Sequence, residues 1–413
     1  MSYSEIRMPE KIRNPHKNTA TNEALLRLKK TSLVSSIYKK EMDVENIRKL
    51  FPITTEKVYL NHASTGPMTT RARNAINKLL DIYQFESDIT KEFLESAEEE
   101  TRNLAAQLVG AHPDEIGLVK NTSQGLIIPM NALGWEAGSN VILRKGGFPA
   151  NVCPWIYNLP HVEKRYIEVN NDETILESCK NALCERTKAI TVDWVDFLSG
   201  SRVDLKRLGD FCQEKNVFLF VDGIQGLGAL QLDLSELNVD VFSAGATKWM
   251  FGPQGIAIMY ISKKLLSQLN LTNAGWLSAQ WENFHHFSEI PPIKQSTARY
   301  EEGTKNLLGI FGFREHLKLL LEVGPDKIQE RIFHLRGLLV KGLKDTGCVF
   351  LSPLDNERGS GIVTFKPPKE ASEELHEKLT KNNIIISYRE GWLRVSPHFY
   401  NTEEEIKKLL ENV

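Results

Sequence analysis

The sequence has little of what several specialised protein classes require. None of its apolar runs approaches the roughly 20 residues that a membrane-spanning helix needs, and its N-terminus has no signal-peptide core. The 51 basic and 53 acidic residues nearly cancel, so no charge excess favours nucleic acid or an anionic membrane as a partner. The five cysteines are an odd number without zinc-like pairing and indicate reduced thiols. We therefore expect a cytoplasmic protein that binds neither nucleic acid nor membrane.

Two common ligand sites are also not favoured. In VFLFVDGIQGLGALQ, the third glycine of a dinucleotide-binding G-x-G-x-x-G motif, counted from Gly226 and Gly228, would fall on Gln231. The paired histidines of NAGWLSAQWENFHHFSEIPP suggest a metal, but neighbours in sequence rarely point at one ion. No cysteine or carboxylate cluster accompanies them at ligand spacing, so we expect no metal.

The middle of the chain alternates between strand and helix patterns. Residues 162–222 contain KRYIEV, ETILESCKNALC, AITVDWV, DLKRLGDFCQEKN and VFLFVD in that order. This rhythm predicts an α/β fold whose largely parallel sheet is covered by helices, with ligands at the carboxyl ends of the strands.

A lysine and a carboxylate come after two of these predicted strands. Asp222 ends the apolar run VFLFVD, and Lys248 lies in DVFSAGATKWMFGPQG before a Gly-Pro-Gln-Gly turn. A lysine that forms a Schiff base with an aldehyde cofactor needs a constrained loop and a partly uncharged amine. A carboxylate at a strand end can hold a pyridine nitrogen protonated, which makes the ring an electron sink.

Four ordered blocks extend this pairing into a family resemblance. They are VDGIQGLGALQLDL, DVFSAGATKWMFGPQGIAIMY, RYEEGTKN and LRVSPHFYNTEEEI. The chain resembles the class V group of fold-type I pyridoxal-phosphate (PLP) enzymes from about Tyr59 to its C-terminus. That group includes cysteine desulfurases, cysteine C–S lyases, isopenicillin N epimerase-like proteins and kynureninase. The resemblance implies a large PLP-binding domain over 46–306 and a small C-terminal α/β domain over 307–413, preceded here by an arm over 1–45.

The helix predicted after Asn121 begins with Thr122, Ser123 and Gln124. Its free N–H groups and dipole suit a phosphate, although an ordinary cap is the alternative reading of these residues alone. The resemblance implies that all three anchor the PLP phosphate.

The resemblance also assigns roles to single residues. It implies that Lys248 is the Schiff-base lysine and the base, Asp222 the pyridinium partner, Phe148 the ring stacked on the cofactor and Gln225 the donor to its phenolic oxygen. Thr247 would add a hydroxyl at the phosphate. In a homodimer with shared sites, Thr304 would bind the phosphate of the partner copy, with Gly303 permitting its turn.

The amino-acid substrate would be held by a further set of residues. Arg394 would bind its α-carboxylate, because an arginine captures a carboxylate through two parallel hydrogen bonds. His62, Ser64 and Asn151 are expected near it, and the entrance would be shaped by Trp276, Trp281 and His285.

Several positions depart from the desulfurase pattern. Phe148 and Thr247 replace histidines, Phe197 stands where desulfurases tend to have asparagine, and Gly245 where they often have a phosphate-binding serine. No cysteine comes after Cys348, so the loop nucleophile of a desulfurase is missing. We expect β-elimination from a cysteine-type substrate, as in a C–S lyase. A class V aminotransferase or amino-acid epimerase, a cysteine desulfurase and a non-catalytic scaffold are the alternatives.

Overall fold

The computed structural model describes residues 42–86, 90–168, 175–281 and 288–413. By its contacts the chain divides into the units Met1–Asp43 and Val44–Val413, and the helices and strands of the described residues all belong to the second unit. Nearly all of the predicted arm lies outside the described residues. The predicted boundary between residues 306 and 307 stays a prediction.

The described residues form helices and strands in alternation. The α-helices are α1 Val44–Arg48, α2 Thr70–Asp81, α3 Lys91–Val109, α4 Thr122–Ala132, α5 Pro149–Asn158, α6 Ile175–Ala182, α7 Leu205–Glu214, α8 Lys263–Leu266, α9 Leu307–Val323, α10 Pro325–Asp345, α11 Ser372–Lys381 and α12 Glu403–Leu410. The strands are β1 Val58–Tyr59, β2 Ile116–Val119, β3 Asn140–Arg144, β4 Glu163–Ile167, β5 Thr187–Asp193, β6 Phe218–Asp222, β7 Val241–Gly245, β8 Ala257–Ile261, β9 Val349–Phe350, β10 Val363–Lys366, β11 Ile384–Ile385, β12 Ser387–Arg389 and β13 Trp392–Val395. Short 3₁₀ turns cover Pro52–Thr55, Pro113–Glu115, Leu234–Glu236, Trp276–Ser278 and Thr297–Tyr300, and a π turn covers Ile82–Glu86.

A seven-stranded sheet forms the centre, in the order β2-β8-β7-β6-β5-β3-β4. The strands from β7 to β4 run parallel, while β8 is antiparallel to both of its neighbours. Strands β5 to β8 are almost wholly buried, which explains why they read as continuous apolar runs. The predicted α/β class with a largely parallel sheet is therefore confirmed.

Two smaller sheets lie nearer the C-terminus. A four-stranded antiparallel sheet has the order β12-β13-β10-β9, and β1 pairs in parallel with β11. One face of the four-stranded sheet packs against α10, α11 and α12 through a core of aliphatic residues that includes Leu335, Leu379, Leu393 and Leu409. Its other face bears Arg394.

Local sequence signals explain several helix ends. Thr69 and Thr90 accept hydrogen bonds from the amides of Ala72 and Phe93, capping α2 and α3, and α3 ends at Gly110 with φ of 65°. Among the described helices, none combines the length and the apolar character that crossing a bilayer demands.

Candidate active site

Lys248 and Asp222 lie at the same edge of the central sheet. Asp222 is the last residue of β6, and Lys248 lies three positions beyond the end of the neighbouring parallel strand β7. The Lys248 Nζ atom lies 5.3 Å from the centroid of the Phe148 ring. The loop is fixed from outside because the Gly66 amide donates to the Thr247 carbonyl at 2.7 Å. Three residues distant in sequence thus meet where a doubly wound sheet places its ligands.

The Asp222 carboxylate has an oxygen that the chain does not satisfy. Its Oδ1 accepts a hydrogen bond from the Ile224 amide at 3.0 Å, whereas Oδ2 is buried with no partner among the described residues. Burial raises the pKa of Asp222, and the negative charge of Asp193 acts in the same direction. A buried orphan acceptor of this kind fits a ligand that brings its own N–H group, as a protonated pyridine ring does.

The Lys248 amine is held in a setting that favours its neutral form. Burial lowers the pKa of Lys248; Asp222 opposes this shift, and the positive charges of Arg394 and Arg389 add to it. A lysine with a lowered pKa is available as a nucleophile and as a base near neutral pH.

Phe148 is held in position by the carboxylate of Asp193, at the end of β5. It precedes α5, and its amide donates to Asp193 Oδ2 at 3.2 Å. Asn151, in the first turn of α5, donates to Asp193 Oδ1 at 3.0 Å and accepts from the Thr191 hydroxyl at 2.5 Å. Both ends of the buried Asn151 amide are therefore engaged by the chain, and its predicted contact with substrate stays a prediction. Sequence reasoning missed Asp193, since nothing local marks a strand-end aspartate as the cap of a helix more than 30 residues earlier.

The N-terminus of α4 lies beside the end of β7. Asn121 caps the helix by accepting from the Gln124 amide at 2.9 Å, and the Thr122 hydroxyl accepts from the Gly245 amide at 2.9 Å. Helix geometry leaves the first amides without intrahelical acceptors. The Ser123 hydroxyl has no hydrogen-bond partner among the described residues. The Gln124 side chain accepts from the Lys120 amide at 2.8 Å.

Two of the departures noted in the sequence, Gly245 and Thr247, lie at the end of β7 and just after it. A Cβ at Gly245 would lie 3.2 Å from the Thr122 hydroxyl oxygen, so Thr122 occupies space that a longer side chain would need. Ser243 does not compensate, because its buried hydroxyl donates to the Ile258 carbonyl at 3.1 Å. Thr247 keeps a hydroxyl without a partner in the described part of the chain.

Gln225 and His62 both contact Trp249, the residue that follows Lys248. The Gln225 amide donates to the Ala63 carbonyl and accepts from the Trp249 indole, both at 3.0 Å, which leaves one amide hydrogen for a ligand. His62 is fully buried against Trp249, with one ring nitrogen 2.8 Å from the Ser396 carbonyl and the other 2.7 Å from the Tyr400 hydroxyl. Burial lowers the pKa of His62 to about 3. The ring therefore lies among aromatic side chains with both nitrogens engaged by the chain, and its predicted place near the substrate stays a prediction.

Arg394 reaches the same region from β13. Its guanidinium donates to the Phe197 carbonyl at 2.6 Å and to the Ser64 hydroxyl at 2.8 Å, and the residue is 1 % exposed. Its Nε is buried without a partner among the described residues. The Phe197 ring meets Phe148 edge to face, with centroids 5.2 Å apart. Arg394, Ser64, Phe197 and Phe148 thus form a continuous wall beside Lys248.

Thr304 lies on an exposed turn that is held in place by the ion pairs of a buried neighbouring residue. Glu301, buried next to the turn, accepts two hydrogen bonds from Arg102, at 2.7 and 2.9 Å, and pairs with Lys305 at 2.7 Å. The Thr304 side chain is exposed and has no partner among the described residues. The expectation that Gly303 is needed for an unusual backbone conformation is wrong, because its φ lies outside the positive region and an added Cβ would make only ordinary contacts.

The predicted entrance residues lie partly beside this turn. Trp276 approaches Gly303, where an added Cβ would lie 3.5 Å from its indole nitrogen, and Trp281 donates to the Trp276 carbonyl at 2.6 Å. His285 lies outside the described residues. Among the described residues, no group of three or more His, Cys, Asp and Glu side chains could hold a metal ion.

The interval in which a desulfurase carries its cysteine loop is a tight hairpin. Strands β12 and β13 are joined only by Glu390 and Gly391, with φ of 51° and 81°. Cys348 is buried in the aliphatic core on the far face of that sheet, 3.3 Å from the Thr346 hydroxyl, and burial raises its pKa.

Comparisons with known proteins agree on one family. The family model described as aminotransferase class V matches residues 58–409. The uncharacterized aminotransferase YcbU of Bacillus subtilis is 25 % identical, with 89 % of this chain and 97 % of that protein covered. A probable cysteine desulfurase of Pyrococcus abyssi is 23 % identical, with 89 % and 96 % covered.

Solved structures show the same fold. The cystine C–S lyase C-DES, in complex with its reaction product cysteine persulfide, superimposes with a TM-score of 0.80 at 22 % identity, with 87 % of this chain and 98 % of that chain covered. The prediction of a fold-type I PLP enzyme is confirmed. The chain belongs to the class V aminotransferase family of PLP-dependent enzymes.

Proposed function

We propose that this enzyme eliminates the β-substituent of a cysteine-type amino acid, as a C–S lyase does. One observation carries the proposal: Lys248, Asp222, Phe148 and Arg394 converge on one site, while the described residues bring no accessible cysteine to it. The first three suit PLP chemistry at Cα, and the missing thiol removes the acceptor that a desulfurase needs.

The cofactor would be held by residues from four elements. Asp222 would accept the pyridine N–H at Oδ2, Phe148 would cover the ring, and the free hydrogen of the Gln225 amide would reach the phenolic oxygen. The phosphate would be bound by the N-terminus of α4, through Thr122, Ser123 and Gln124, together with Thr247 and the partner's Thr304. When bound, PLP supplies an electron sink for the charge that develops at Cα.

Arg394 would bind the substrate, and Lys248 would accept a proton from it. Arg394 would bind the α-carboxylate, exchanging its hydrogen bond to Ser64 for two to the ligand. The Cα–H bond would then point toward Lys248, whose lowered pKa suits it to accept the proton. The Cβ–S bond would then break, with the sulfur leaving with its electron pair and taking up a proton, and one water would be consumed as the three-carbon remainder is released as pyruvate and ammonia.

The alternatives differ in the fate of the substrate once its proton is on Lys248. An epimerase would return a proton to the substrate Cα, whereas a class V aminotransferase would pass the proton to the cofactor and release the substrate as a keto acid. Phe148 in place of histidine resembles the epimerase-like and kynureninase pattern. A cysteine desulfurase is less well supported, because Cys348 packs in the core and the β12–β13 turn has only two residues. Conditions that shift the hairpin and expose Cys348 would have to be found for that alternative.

The deciding experiment is a visible absorbance scan of the holoenzyme against amino acids and cysteine conjugates. Pyruvate, ammonia and released thiol or sulfide are assayed in the same wells. Pyruvate, ammonia and thiol in equal amounts are expected. Conversion to the pyridoxamine form without pyruvate would make the enzyme an aminotransferase, and persulfide on Cys348 would make it a desulfurase.

Lys248→Ala tests the site assignment in an absorbance scan taken before any amino acid is added, followed by the same turnover assay. The variant should lose the visible band of the covalently bound cofactor and all turnover, because no other described lysine lies over Phe148. Arg394→Ala is the matched variant: it should raise KM for amino acids much more than it weakens PLP binding. An unchanged band in Lys248→Ala would refute the assignment.

A further inference from the structure

The β12–β13 hairpin carries two arginines on one face. Ser387 pairs with Arg394 and Arg389 pairs with Trp392 in the antiparallel register. Side chains two residues apart on a strand share a face, and residues directly opposite each other share it too. Ser387 and Arg394 are in contact, with Oγ and the guanidinium 3.3 Å apart. Arg389 therefore projects on the face of the hairpin that bears Arg394.

The two arginines occupy the inner and outer ends of this face. Arg394 is buried between Ser64 and Phe197, whereas Arg389 is exposed directly before the two-residue turn. Two residues of strand separate Ser387 from Arg389, or about 7 Å. Since the turn leaves no slack, this separation is fixed by the sheet.

Arg389 has no anion of its own. Within the described residues it makes no hydrogen bond and no ion pair, and its neighbour Glu390 is also unpaired. Asp196, the carboxylate whose charge acts on Arg394, is paired with Arg144 at 2.7 Å. By contrast, Lys366 on β10, the next basic residue on this sheet, has its ammonium 4.4 Å from the centroid of the Trp392 ring.

The positive charge of Arg389 affects the pKa of two residues of the candidate active site. It contributes to lowering the pKa of Lys248 and, after burial, is the main cause of the lowered pKa of Arg394. A cation without a counter-ion that faces two others at a ligand site is stabilised when a ligand supplies a second negative charge.

We propose that Arg389 binds an anionic group on the side chain of the substrate, so that the site selects α-amino acids with a distal carboxylate or sulfur oxyanion. The inference rests on the proposed amino-acid function. With the α-carboxylate on Arg394, a side chain of about the length of S-carboxymethylcysteine would bring its terminal charge to the arginine fork, which matches planar oxyanions. The aromatic wall of Phe148 and Phe197 would cover the intervening apolar part.

The test compares two near-isosteric substrates that differ in charge, S-carboxymethylcysteine and S-carbamoylmethylcysteine. Holoenzyme is titrated with each, and kcat/KM and the half-saturating concentration of the visible-band shift are measured. The wild type should prefer the anionic compound at least about tenfold, as expected for one charge-assisted hydrogen-bond pair. Arg389→Gln should lower the ratio of the two kcat/KM values, anionic over neutral, about 10- to 100-fold, because its effect on the pKa of Lys248 and of Arg394 acts on both compounds and cancels in this ratio. Arg389→Lys should restore part of the preference.

Lys366→Gln is the matched control, because it removes a positive charge from the same sheet without touching Arg389. It should leave the preference intact. Equal use of both compounds by the wild type, equal losses for both in Arg389→Gln, or the same loss in Lys366→Gln would overturn the inference while leaving the proposed function standing. A holoenzyme that responds to no amino acid at all would overturn both.

Discussion

At Asp222, the chain buries a carboxylate oxygen that it does not satisfy. In the described residues most buried polar atoms have partners, and this one lies at the carboxyl end of a central strand, within the electrostatic reach of Lys248. Leaving a buried acceptor unpaired costs about 1–3 kcal/mol. The cost is understandable if a cofactor supplies the missing donor, because ligand binding then recovers it.

The cofactor-free enzyme should reveal this cost through pH. Burial and Asp193 raise the pKa of Asp222 from 3.8 to about 7, so the folded state holds this proton more tightly than the unfolded state. The contribution to stability is fully present below pH 3.8 and is lost as the pH rises through about 7. In Asp222→Asn this dependence disappears. The difference in Tm, variant minus wild type, should therefore grow from about pH 4 to about pH 8 in apo-protein, while the variant binds PLP more weakly. A difference that is flat with pH would contradict the assignment.

Among the elements, α5 shows most clearly how a remote residue sets a local position. The strand β5 ends at Asp193, which accepts from the Phe148 amide and from the Asn151 side chain. These bonds fix the first turn of α5, and with it the direction of the Phe148 ring over Lys248. We propose that Asp193 is a positioning residue, since its hydrogen bonds go to the first turn of α5.

A double-mutant cycle tests this coupling. Asp193→Asn should weaken PLP binding about tenfold in the wild type, and much less in a Phe148→Ala background, where no ring remains to be positioned. We expect a coupling free energy of about 1 kcal/mol, within the usual range for residues in one network. The effect of Asp193→Asn on the ionisation of Asp222 is present in both backgrounds and cancels in the cycle. Asp204→Asn, which changes the cap of α7, is the control and should leave PLP binding unchanged. Strict additivity would show that Asp193 acts on the charge alone.

Sequence patterns predicted elements whose signals are local. The apolar run before Asp222, the capped start of α4 and the tight interval before Arg394 all appear in the structure. The antiparallel direction of β8 was not predicted, because a buried strand has the same apolar pattern in either direction. The contacts of His62 and Asp193 were not predicted for a similar reason: the sequence pattern of a polar residue at a strand end is the same whether it faces a ligand, an aromatic core or another helix.

At the scale of the whole molecule, the question is which copy of a proposed homodimer supplies Thr304 to each PLP phosphate site. Glu301, clamped by Arg102 and Lys305, holds the turn that exposes Thr304. Burial opposes ionisation of Glu301, but these cations outweigh it and lower its pKa to about 2, so the clamp stays charged at neutral pH. Glu302, in the same turn, pairs with Lys120 of its own chain at 3.1 Å. We propose that Thr304 binds the phosphate of the partner copy in a homodimer, and this arrangement predicts different behaviour in mixed dimers from one in which Thr304 serves its own chain.

Mixing a variant with weakened PLP binding and an inactive variant separates these arrangements. Thr304→Ala should weaken PLP binding about tenfold through loss of a hydrogen bond to a charged phosphate, and Lys248→Ala should abolish turnover. If Thr304 acts across the dimer, a hybrid of the two variants contains one site with Lys248 from one copy and Thr304 from the other. An equimolar mixture, dissociated and reassembled at limiting PLP, should then regain about a quarter of wild-type activity, because half of the dimers are hybrids with one intact site each. Thr297→Ser, which alters a buried side chain near the turn but not Thr304, should not rescue Lys248→Ala beyond the activity expected of its own copies. A Thr304→Ala and Lys248→Ala mixture that stays as inactive as its components would place Thr304 at its own chain's phosphate, and the active site would be complete within one copy.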